Sequence, residues 1–321
     1  MSCDRRELPF VVGAYASQPQ DPQGQATYFD LLADTGWVQG LEVPFPGQLR
    51  DEDSRDFLGG LMSGRFNRSV LTPIPGTMVS MWEDPSFGLA SPDEKGRARA
   101  VEFLREVHHV LQQMHARYGH LFDYVALHSA PKNTCTPEAF AASIEEISGW
   151  DWGATQLVIE HCDEKTSTTD AEGLSPDGVV RTHEPEKGFL LLEDEIALAR
   201  QFGLRVSLNW GRSAVGSRGA VVPNQHIAQA ADAGVLAGVL FSGASPEETA
   251  YGPEWIDGHL PAATDEPASL MTEALIDEGA KLAVGACYLG AKCCVPKDAT
   301  LEERVEMLSH IHRAAIAKPG R

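Results

Sequence analysis

The chain has 321 residues, a length that suits two average domains or one (β/α)8 barrel, which typically needs about 250 residues. Hydrophobic residues make up 43% of the chain and charged residues 22%, so the composition predicts a buried core and excludes a disordered chain. The formal net charge of −20 disfavours nucleic acid and anionic membrane surfaces as partners, because both present phosphate groups to a protein.

The apolar segments and the cysteine spacing both bear on the cellular compartment in which the protein is expected. The first residues contain no apolar stretch of signal-peptide length, and no run of about 18 apolar residues occurs in the chain. The six cysteines form no CxxC pair and match no metal or redox spacing. We therefore expect a soluble cytoplasmic protein with reduced thiols, and the sequence is compatible with a homo-oligomer.

Eight apolar segments rich in valine, isoleucine and leucine recur along the chain, separated by segments with helical periodicity. This alternation predicts parallel strands that are buried on both faces. The predicted strands span residues 9–15, 40–45, 69–74, 124–129, 155–161, 204–210, 236–242 and 282–289. Eight consecutive strand and helix pairs favour a single (β/α)8 TIM barrel of the α/β class over a doubly wound open sheet. We expect one domain over residues 1–321, with its core at about 9–316.

Capping residues mark several predicted helix ends. Ser91, Thr136 and Thr300 are predicted N-caps, and the first and third are followed three residues later by glutamate, as in a capping box. Gly203 follows an amphipathic segment, where a left-handed residue would end a helix before the next strand.

Three connections are longer than a β/α unit requires. They follow predicted strands 3, 5 and 7 and span residues 75–92, 162–188 and 243–266. Because each one follows a strand and precedes a helix, all three lie on the face where barrel enzymes build their active sites. The sequence thus predicts a site at the carboxyl ends of the strands, beneath long loops.

Glu160 follows the apolar part of the fifth predicted strand. A buried carboxylate is costly unless it has a cation, a hydrogen-bond donor or a ligand. We therefore predict that Glu160 is a catalytic acid or base, with a structural ion pair to an arginine as the alternative. Glu160, Asp163 and His183 also form a candidate divalent metal site, with a solvated acidic loop as the alternative.

Further candidates lie at other strand ends and in the loop after strand 7. His128 and His259 are candidate catalytic groups that could stabilise or protonate a substrate oxygen. The alternative for His128 is a hydrogen-bonded histidine of the core with no catalytic role. The predicted substrate-binding residues offer amide, indole, guanidinium, hydroxyl, carboxylate and ammonium groups of the kinds that bind sugars. They are Glu42, Asn209, Trp210, Arg212, Ser242, Asp257 and Lys292.

The order of the strands, together with GLEVPF (40–45) and LVIEHCD (157–163), resembles the xylose isomerase-like barrel superfamily. This superfamily includes sugar isomerases, sugar epimerases and metal-dependent endonucleases, and the resemblance covers about residues 10–315. In the sugar epimerases, four strand ends supply Glu, Asp, His and Glu to one divalent metal. Two glutamates exchange the substrate proton.

The resemblance implies a metal site that this chain matches at one position. Glu160 matches the first ligand, but Asn209 stands in place of the Asp and Ser242 in place of the His. Cys287 or Tyr288 stands where the last Glu is expected. An amide or hydroxyl adds no negative charge, so affinity for Mn, Mg or Zn should be reduced. The sequence leaves open whether the site has moved into the loops or works without a metal.

Three functions are compatible with these residues. The resemblance implies a sugar isomerase or epimerase that transfers a proton next to a carbonyl on a sugar or acidic sugar derivative, with Glu160 as acid or base. The alternatives are a glycoside hydrolase using Glu42 and Glu160, and a non-catalytic barrel that binds a ligand. An endonuclease is disfavoured by the net charge.

Overall fold

The computed structural model describes residues 4–165 and 184–317. Within them, eight parallel strands pair in chain order, and the first also pairs with the eighth, which closes the sheet. The strands are β1 Phe10–Val12, β2 Val38–Pro44, β3 Ser69–Thr72, β4 Phe122–Leu127, β5 Gln156–His161, β6 Arg205–Asn209, β7 Leu236–Phe241 and β8 Tyr288–Ala291. The predicted (β/α)8 barrel is confirmed.

Helices surround the barrel and pack an apolar face against it. They are α1 Pro22–Asp34, α2 Glu52–Met62, α3 Ile74–Glu83, α4 Glu94–Tyr118, α5 Pro137–Ser148, α6 Leu192–Phe202, α7 Trp210–Ser217, α8 Val222–Asp232, α9 Glu273–Leu282 and α10 Leu301–Ala315. Among the residues described, none of these helices has the length and apolarity that crossing a membrane requires.

Most of the predicted helix ends are confirmed. Thr136 and Thr300 each accept a hydrogen bond from the backbone N–H three residues later, and Thr300 forms a complete capping box. Gly203 ends α6 in the left-handed conformation. The exception is α4, whose N-cap is Asp93, because the Ser91 hydroxyl instead accepts a hydrogen bond from the Asp93 N–H in the preceding turn.

The eighth strand begins at Tyr288, later than the apolar segment 282–289 predicts. Leu282 ends α9, and Gly285, with a φ of 80°, turns the chain before the strand begins. Apolarity alone does not separate the buried end of a helix from a strand. Cys287 therefore precedes β8, and the residue after its carboxyl end is Lys292.

The three long connections differ in structure. Residues 75–92 contain most of α3, so a helix fills much of that expected loop. Residues 243–266 form a long connection whose ends meet in an antiparallel bridge between Gly243 and Leu260. Of the connection 162–188, residues 166–183 lie outside the described residues.

Alternation along the strands decides which side chains enter the barrel. An apolar interior cluster contains Val158 of β5, whereas Ile159 belongs to the main core between the strands and the helices. By the same alternation Glu160 faces the interior and His161 faces the helices. The interior cluster, which lies beneath the strand ends, comprises Val11, Val70, Tyr124, Ala126, Val158, Ala237, Leu240 and Tyr288.

Candidate active site at the carboxyl ends of the strands

Polar side chains follow the apolar interior layer at the carboxyl ends of seven strands. Each lies on the interior face, because it is an even number of residues from an interior residue of its own strand or directly follows a residue of the main core, as Glu42 follows Leu41 and Asn209 follows Leu208. They are Glu42, Thr72, His128, Glu160, Asn209, Ser242 and Lys292, and all are buried. Charged and polar groups that lie far apart in the sequence are thus collected at one end of the barrel.

Both carboxylate oxygens of Glu160 are engaged. Oε1 lies 2.5 Å from Nη1 of Arg212, while Oε2 lies 2.7 Å from Nε2 of His128 and accepts a hydrogen bond of 3.0 Å from the Thr72 hydroxyl. Burial opposes ionisation of Glu160, but the Arg212 charge and the His128 hydrogen bond hold its pKa well below its usual range. The arginine ion pair considered as an alternative for Glu160 is therefore present.

His128 is a neutral partner in this arrangement. Burial lowers its pKa, although hydrogen bonding to Glu160 opposes that shift. A neutral imidazole can donate to a carboxylate only from its protonated nitrogen, so the proton of His128 resides on Nε2. His128 therefore fixes the orientation of Glu160 without adding charge.

Arg212 connects the barrel to the connection after β7. Its Nε donates to Oδ2 of Asp257 at 3.0 Å, and Asp257 also contacts Lys187 Nζ at 3.0 Å and His259 Nδ1 at 3.1 Å. Burial opposes ionisation of Asp257, but Lys187, His259 and Arg212 hold its pKa well below its usual range. The connection that carries Asp257 and His259 is thus tied by ion pairs to the end of the barrel.

Glu42 has a different environment. Its Oε2 lies 2.8 Å from Lys292 Nζ and accepts a hydrogen bond of 2.9 Å from the Tyr15 hydroxyl. Its Oε1 is buried and has no hydrogen-bond partner among the described residues. Burial and the nearby Glu42 carboxylate raise the pKa of Tyr15 well above its usual value, so its hydroxyl stays protonated as a donor.

Two further residues of the site, Tyr15 and Thr72, were not predicted from the sequence. Tyr15 is the last residue of the first predicted strand segment, and Thr72 lies near the end of the third. Each therefore carried the same strand-end signal as Glu160. Both are neutral hydroxyl residues, and a neutral residue at a strand end is a weaker indication of function than a buried charged group at an equivalent position.

Asn209 has one engaged and one unengaged amide atom. Its Oδ1 accepts from the backbone N–H groups of Gly211 and Arg212 and so caps α7. A side chain at Gly211 would place Cβ 2.6 Å from the carbonyl oxygen of Ser242, so glycine allows this close approach to the end of β7. The Nδ2 of Asn209 is buried without a hydrogen-bond partner among the described residues.

The Trp210 side chain lies in the hydrophobic core, which is the packing role and not the sugar-stacking role expected of it. Its side chain is 1% exposed and belongs to the main hydrophobic core, and its Nε1 donates to Oδ1 of Asn224 at 3.0 Å. The indole therefore contributes to packing of α7 and α8. Ser242 remains at the strand end, with its hydroxyl 3.4 Å from His259 Nδ1.

The donor set does not fit the divalent metal that the superfamily resemblance implies. Glu160 directs both oxygens to protein donors, and Asn209 uses its oxygen as a helix cap. Lys292 follows β8, where a fourth, acidic ligand would be expected, and Arg212 lies against Glu160. Two buried cations at these positions repel a divalent ion.

The second candidate metal set consists of Glu160, Asp163 and His183. Asp163 accepts a hydrogen bond of 2.7 Å from the backbone N–H of Lys187, and its other oxygen lies 3.8 Å from Lys187 Nζ. His183 lies outside the described residues, so this set stays a prediction. Asp163 itself organises the connection that precedes α6.

Comparisons of the sequence identify relatives. A protein-family profile described as "Domain of unknown function (DUF4862)" matches residues 11–307. The chain is 32% identical to the uncharacterized protein STM3670 of Salmonella typhimurium over 278 residues, which cover 84% of this chain and 83% of that protein.

Solved structures share the fold at low sequence identity. A xylose isomerase domain containing protein from Salmonella typhimurium superposes with a TM-score of 0.53 and 13% identity, covering 98% of this chain and 97% of that one. An AP endonuclease of family 2 from Brucella melitensis gives 0.57 and 11%, covering 92% and 96%. D-allulose 3-epimerase from Methylomonas sp. gives 0.53 and 10%, covering 99% and 97%. These likenesses show a shared (β/α)8 barrel fold over nearly the whole chain.

Proposed function

The chain belongs to the DUF4862 family, and from that premise we propose that it is a sugar isomerase or epimerase that transfers a proton next to a carbonyl group. The observation that carries the proposal is a pair of buried polar atoms without hydrogen-bond partners among the described residues, Glu42 Oε1 and Asn209 Nδ2. The xylose isomerase-like fold, shared with a D-allulose 3-epimerase, supports a carbohydrate as the ligand.

A hydroxylated ligand would satisfy both atoms. Leaving a buried donor or acceptor unsatisfied costs about 1–3 kcal/mol, so such atoms in a folded protein call for a partner. A sugar hydroxyl can donate to Glu42 Oε1, and a sugar carbonyl or hydroxyl oxygen can accept from Asn209 Nδ2. A sugar carries such donors and acceptors on neighbouring carbons.

We assign the role of base to Glu42 rather than to Glu160. Lys292 and Tyr15 hold Oε2 of Glu42 and leave Oε1 to face a substrate. The low pKa of Glu160 makes it a weak base, which departs from the role expected from the sequence. Glu160 instead positions Arg212, whose charge would stabilise the oxyanion of an enediolate.

The charge balance favours a neutral sugar over an acidic derivative. Each of the buried cations Lys187, Arg212 and Lys292 lies within 3.0 Å of a carboxylate oxygen. A substrate carboxylate would compete with these partners and add a negative charge to an already acidic site. A neutral ketose or aldose adds no charge.

The glycoside hydrolase alternative lacks support from this pair of carboxyl groups. Such an enzyme needs one carboxylic acid that keeps its proton at the working pH. Arg212 and His128 hold Glu160 in its ionised form, and Lys292 lies against Glu42. The neighbourhood of Glu160 is therefore not of the apolar kind that keeps a carboxylic acid protonated.

The test is proton exchange on a panel of neutral ketoses and aldoses in D2O, followed by NMR at the carbon next to the carbonyl. Glu42→Gln preserves size but cannot accept the proton, so we expect the exchange rate to fall about 10³-fold. Glu102→Gln is the matched control, because Glu102 is exposed on α4, and it should retain the wild-type rate.

Two results would overturn the proposal at different levels. Exchange at the wild-type rate by Glu42→Gln would remove Glu42 from the base role while leaving the activity. Sugar binding in a thermal-shift screen, with no exchange on any sugar, would instead make the protein a non-catalytic ligand-binding barrel.

A further inference from the structure

Three buried side chains cluster on the helix-facing side of β5, away from the barrel interior. They are His161, Glu164 and His226, and one potential ligand atom from each lies within 4.8 Å of the other two. We propose that they hold one structural transition-metal ion, with zinc preferred, between β5 and α8. This inference does not depend on the sugar chemistry proposed above.

His161 is oriented as a metal ligand. It ends β5, and its Nδ1 lies 2.7 Å from Oε2 of Glu195 on α6. Glu195 is in turn held by the Ser129 hydroxyl at 2.6 Å. A carboxylate that accepts from one imidazole nitrogen fixes the tautomer and makes the other nitrogen the electron-pair donor, as in many zinc sites. Nε2 of His161 lies 3.8 Å from Oε1 of Glu164.

The other two candidate ligands are also held in place by outer contacts. Oε1 of Glu164, the oxygen nearest His161, also accepts a hydrogen bond of 2.8 Å from the backbone N–H of Leu192, in the first turn of α6. His226 lies on α8 with its Nδ1 3.1 Å from the hydroxyl of Ser213 on α7. The rings of His161 and His226 are 5.1 Å apart and nearly perpendicular.

The donor types suit zinc, and one of the three donor distances is close to the spacing that zinc needs, while the others lie within 4.8 Å. Bonds of about 2.0–2.2 Å in a tetrahedral site place neighbouring donor atoms roughly 3.3–3.6 Å apart. The 3.8 Å between His161 Nε2 and Glu164 Oε1 exceeds that only by a few tenths of an ångström, within reach of small side-chain shifts. Two imidazoles and one carboxylate suit zinc and its neighbours in the first transition row better than calcium or magnesium.

Cys162 shares the cavity with the three candidate ligands but is engaged elsewhere. The cavity is also lined by Asp163, Ser213 and residues at the end of α7. The Cys162 thiol lies 3.5 Å from Nη1 of Arg212, and burial raises its pKa, so it remains a protonated thiol beside the candidate active site.

A metal ion here would stabilise the strand and helices that surround the candidate active site. It would join the end of β5 and the segment before α6 to α8. Helix α7, which carries Arg212 and Ser213, lies between α8 and the barrel site and contacts both. The ion would therefore stabilise the position of Arg212 without contacting a substrate.

The test uses the full-length protein stripped with a chelator and then titrated with Zn²⁺ or Co²⁺. We expect one ion per chain by elemental analysis, a visible cobalt spectrum typical of four-coordinate sites, and a rise in Tm with metal concentration. His226→Gln should lose the stoichiometric ion and the Tm response. His310→Gln, on α10 and paired with Asp265, is the control and should retain both.

Failure of the stripped wild-type protein to bind one equivalent of Co²⁺ would overturn the proposal, as would full binding by His226→Gln. If His226→Gln does not fold, X-ray absorption of the cobalt-loaded wild-type protein decides instead. Two imidazole ligands are expected, and one or none would contradict the assigned site. Sugar turnover enters none of these measurements, so either proposal can fail alone.

Discussion

Glu42 and Glu160 are two carboxylates at strand ends with the same 2% exposure and different surroundings. Glu160 engages both oxygens, one with Arg212 and the other with His128 and a hydroxyl. Among the described residues, Glu42 engages only Oε2, through Lys292 and a tyrosine hydroxyl. The comparison teaches that two carboxylates of equal burial can differ in how many of their oxygens the protein engages, and our proposal assigns the base to the one with an oxygen left over.

The largest expected effect comes from removing the cation beside the fully engaged carboxylate. Arg212→Met leaves both Glu160 and Asp257 without their guanidinium partner in a buried site. We expect the free energy of unfolding in urea to fall by about 5 kcal/mol, because an unpaired buried charge keeps its desolvation penalty.

A matched substitution of a surface arginine distinguishes the cost of leaving a buried carboxylate unpaired from the cost of replacing an arginine by methionine anywhere in the protein. Arg105 is 48% exposed and pairs with exposed Glu146, so Arg105→Met should change the unfolding free energy by about 0.5 kcal/mol or less. Equal losses in the two variants would mean that Glu160 does not depend on Arg212 for its charge.

A smaller loss of unfolding free energy is expected when the cation beside Glu42 is removed. Lys292→Met removes the cation from one carboxylate instead of two, and the Tyr15 hydroxyl still donates to Glu42. We expect a decrease of about 3 kcal/mol in the free energy of unfolding, measured in the same urea titration. A loss as large as that of Arg212→Met would reverse the contrast between the two carboxylates.

The smallest expected effect concerns pH. The folded-state pKa of Glu160 lies below its usual value of 4.5, so the unfolded chain takes up the proton first as the pH falls. The stability from its ion pair is therefore complete above about pH 5 and is lost as the pH drops through 4.5 towards the folded-state value. The wild-type unfolding free energy should decrease over this range.

The variant that isolates this contribution is Glu160→Gln. Its unfolding free energy should decrease about 2 kcal/mol less than that of the wild type between pH 6 and pH 3, measured by urea titration at each pH. Glu102→Gln, at an exposed position, should keep the wild-type slope. Parallel curves for Glu160→Gln and wild type would show that the ion pair leaves the Glu160 carboxyl unperturbed.

Seven of the eight strands lie where the apolar segments predict, within a few residues. Burial on both faces demands a continuous apolar run, which is a local property of the sequence. The eighth strand is shifted because Leu282, within the same apolar run, is the end of a helix. The cap lies at Asp93 instead of Ser91 because the Asp93 carboxylate accepts from the backbone N–H of Gly96, whereas the Ser91 hydroxyl accepts from the Asp93 N–H in the preceding turn.

The candidate site was predicted in part. Strand alternation places His128 and Glu160 at the end of the barrel from sequence alone, since both follow apolar runs at interior positions. For Trp210 the sequence left barrel packing open as the alternative to substrate stacking, because an indole after a strand can face either the substrate or the helix layer, and the structure buries it in the core. No sequence motif marks the pairing of His161 with His226, since the two histidines lie 65 positions apart.

The amino-acid sequence by itself determined the barrel and which side chains enter its interior, because periodicity and apolarity act over a few neighbouring residues. Only the tertiary structure decided which cation meets which carboxylate. Glu160 and Arg212 are separated by 52 positions, and Glu42 and Lys292 by 250. Closing the barrel brings β2 and β8 to either side of β1, and Coulomb interactions between such distant residues depend on distances that no local pattern encodes.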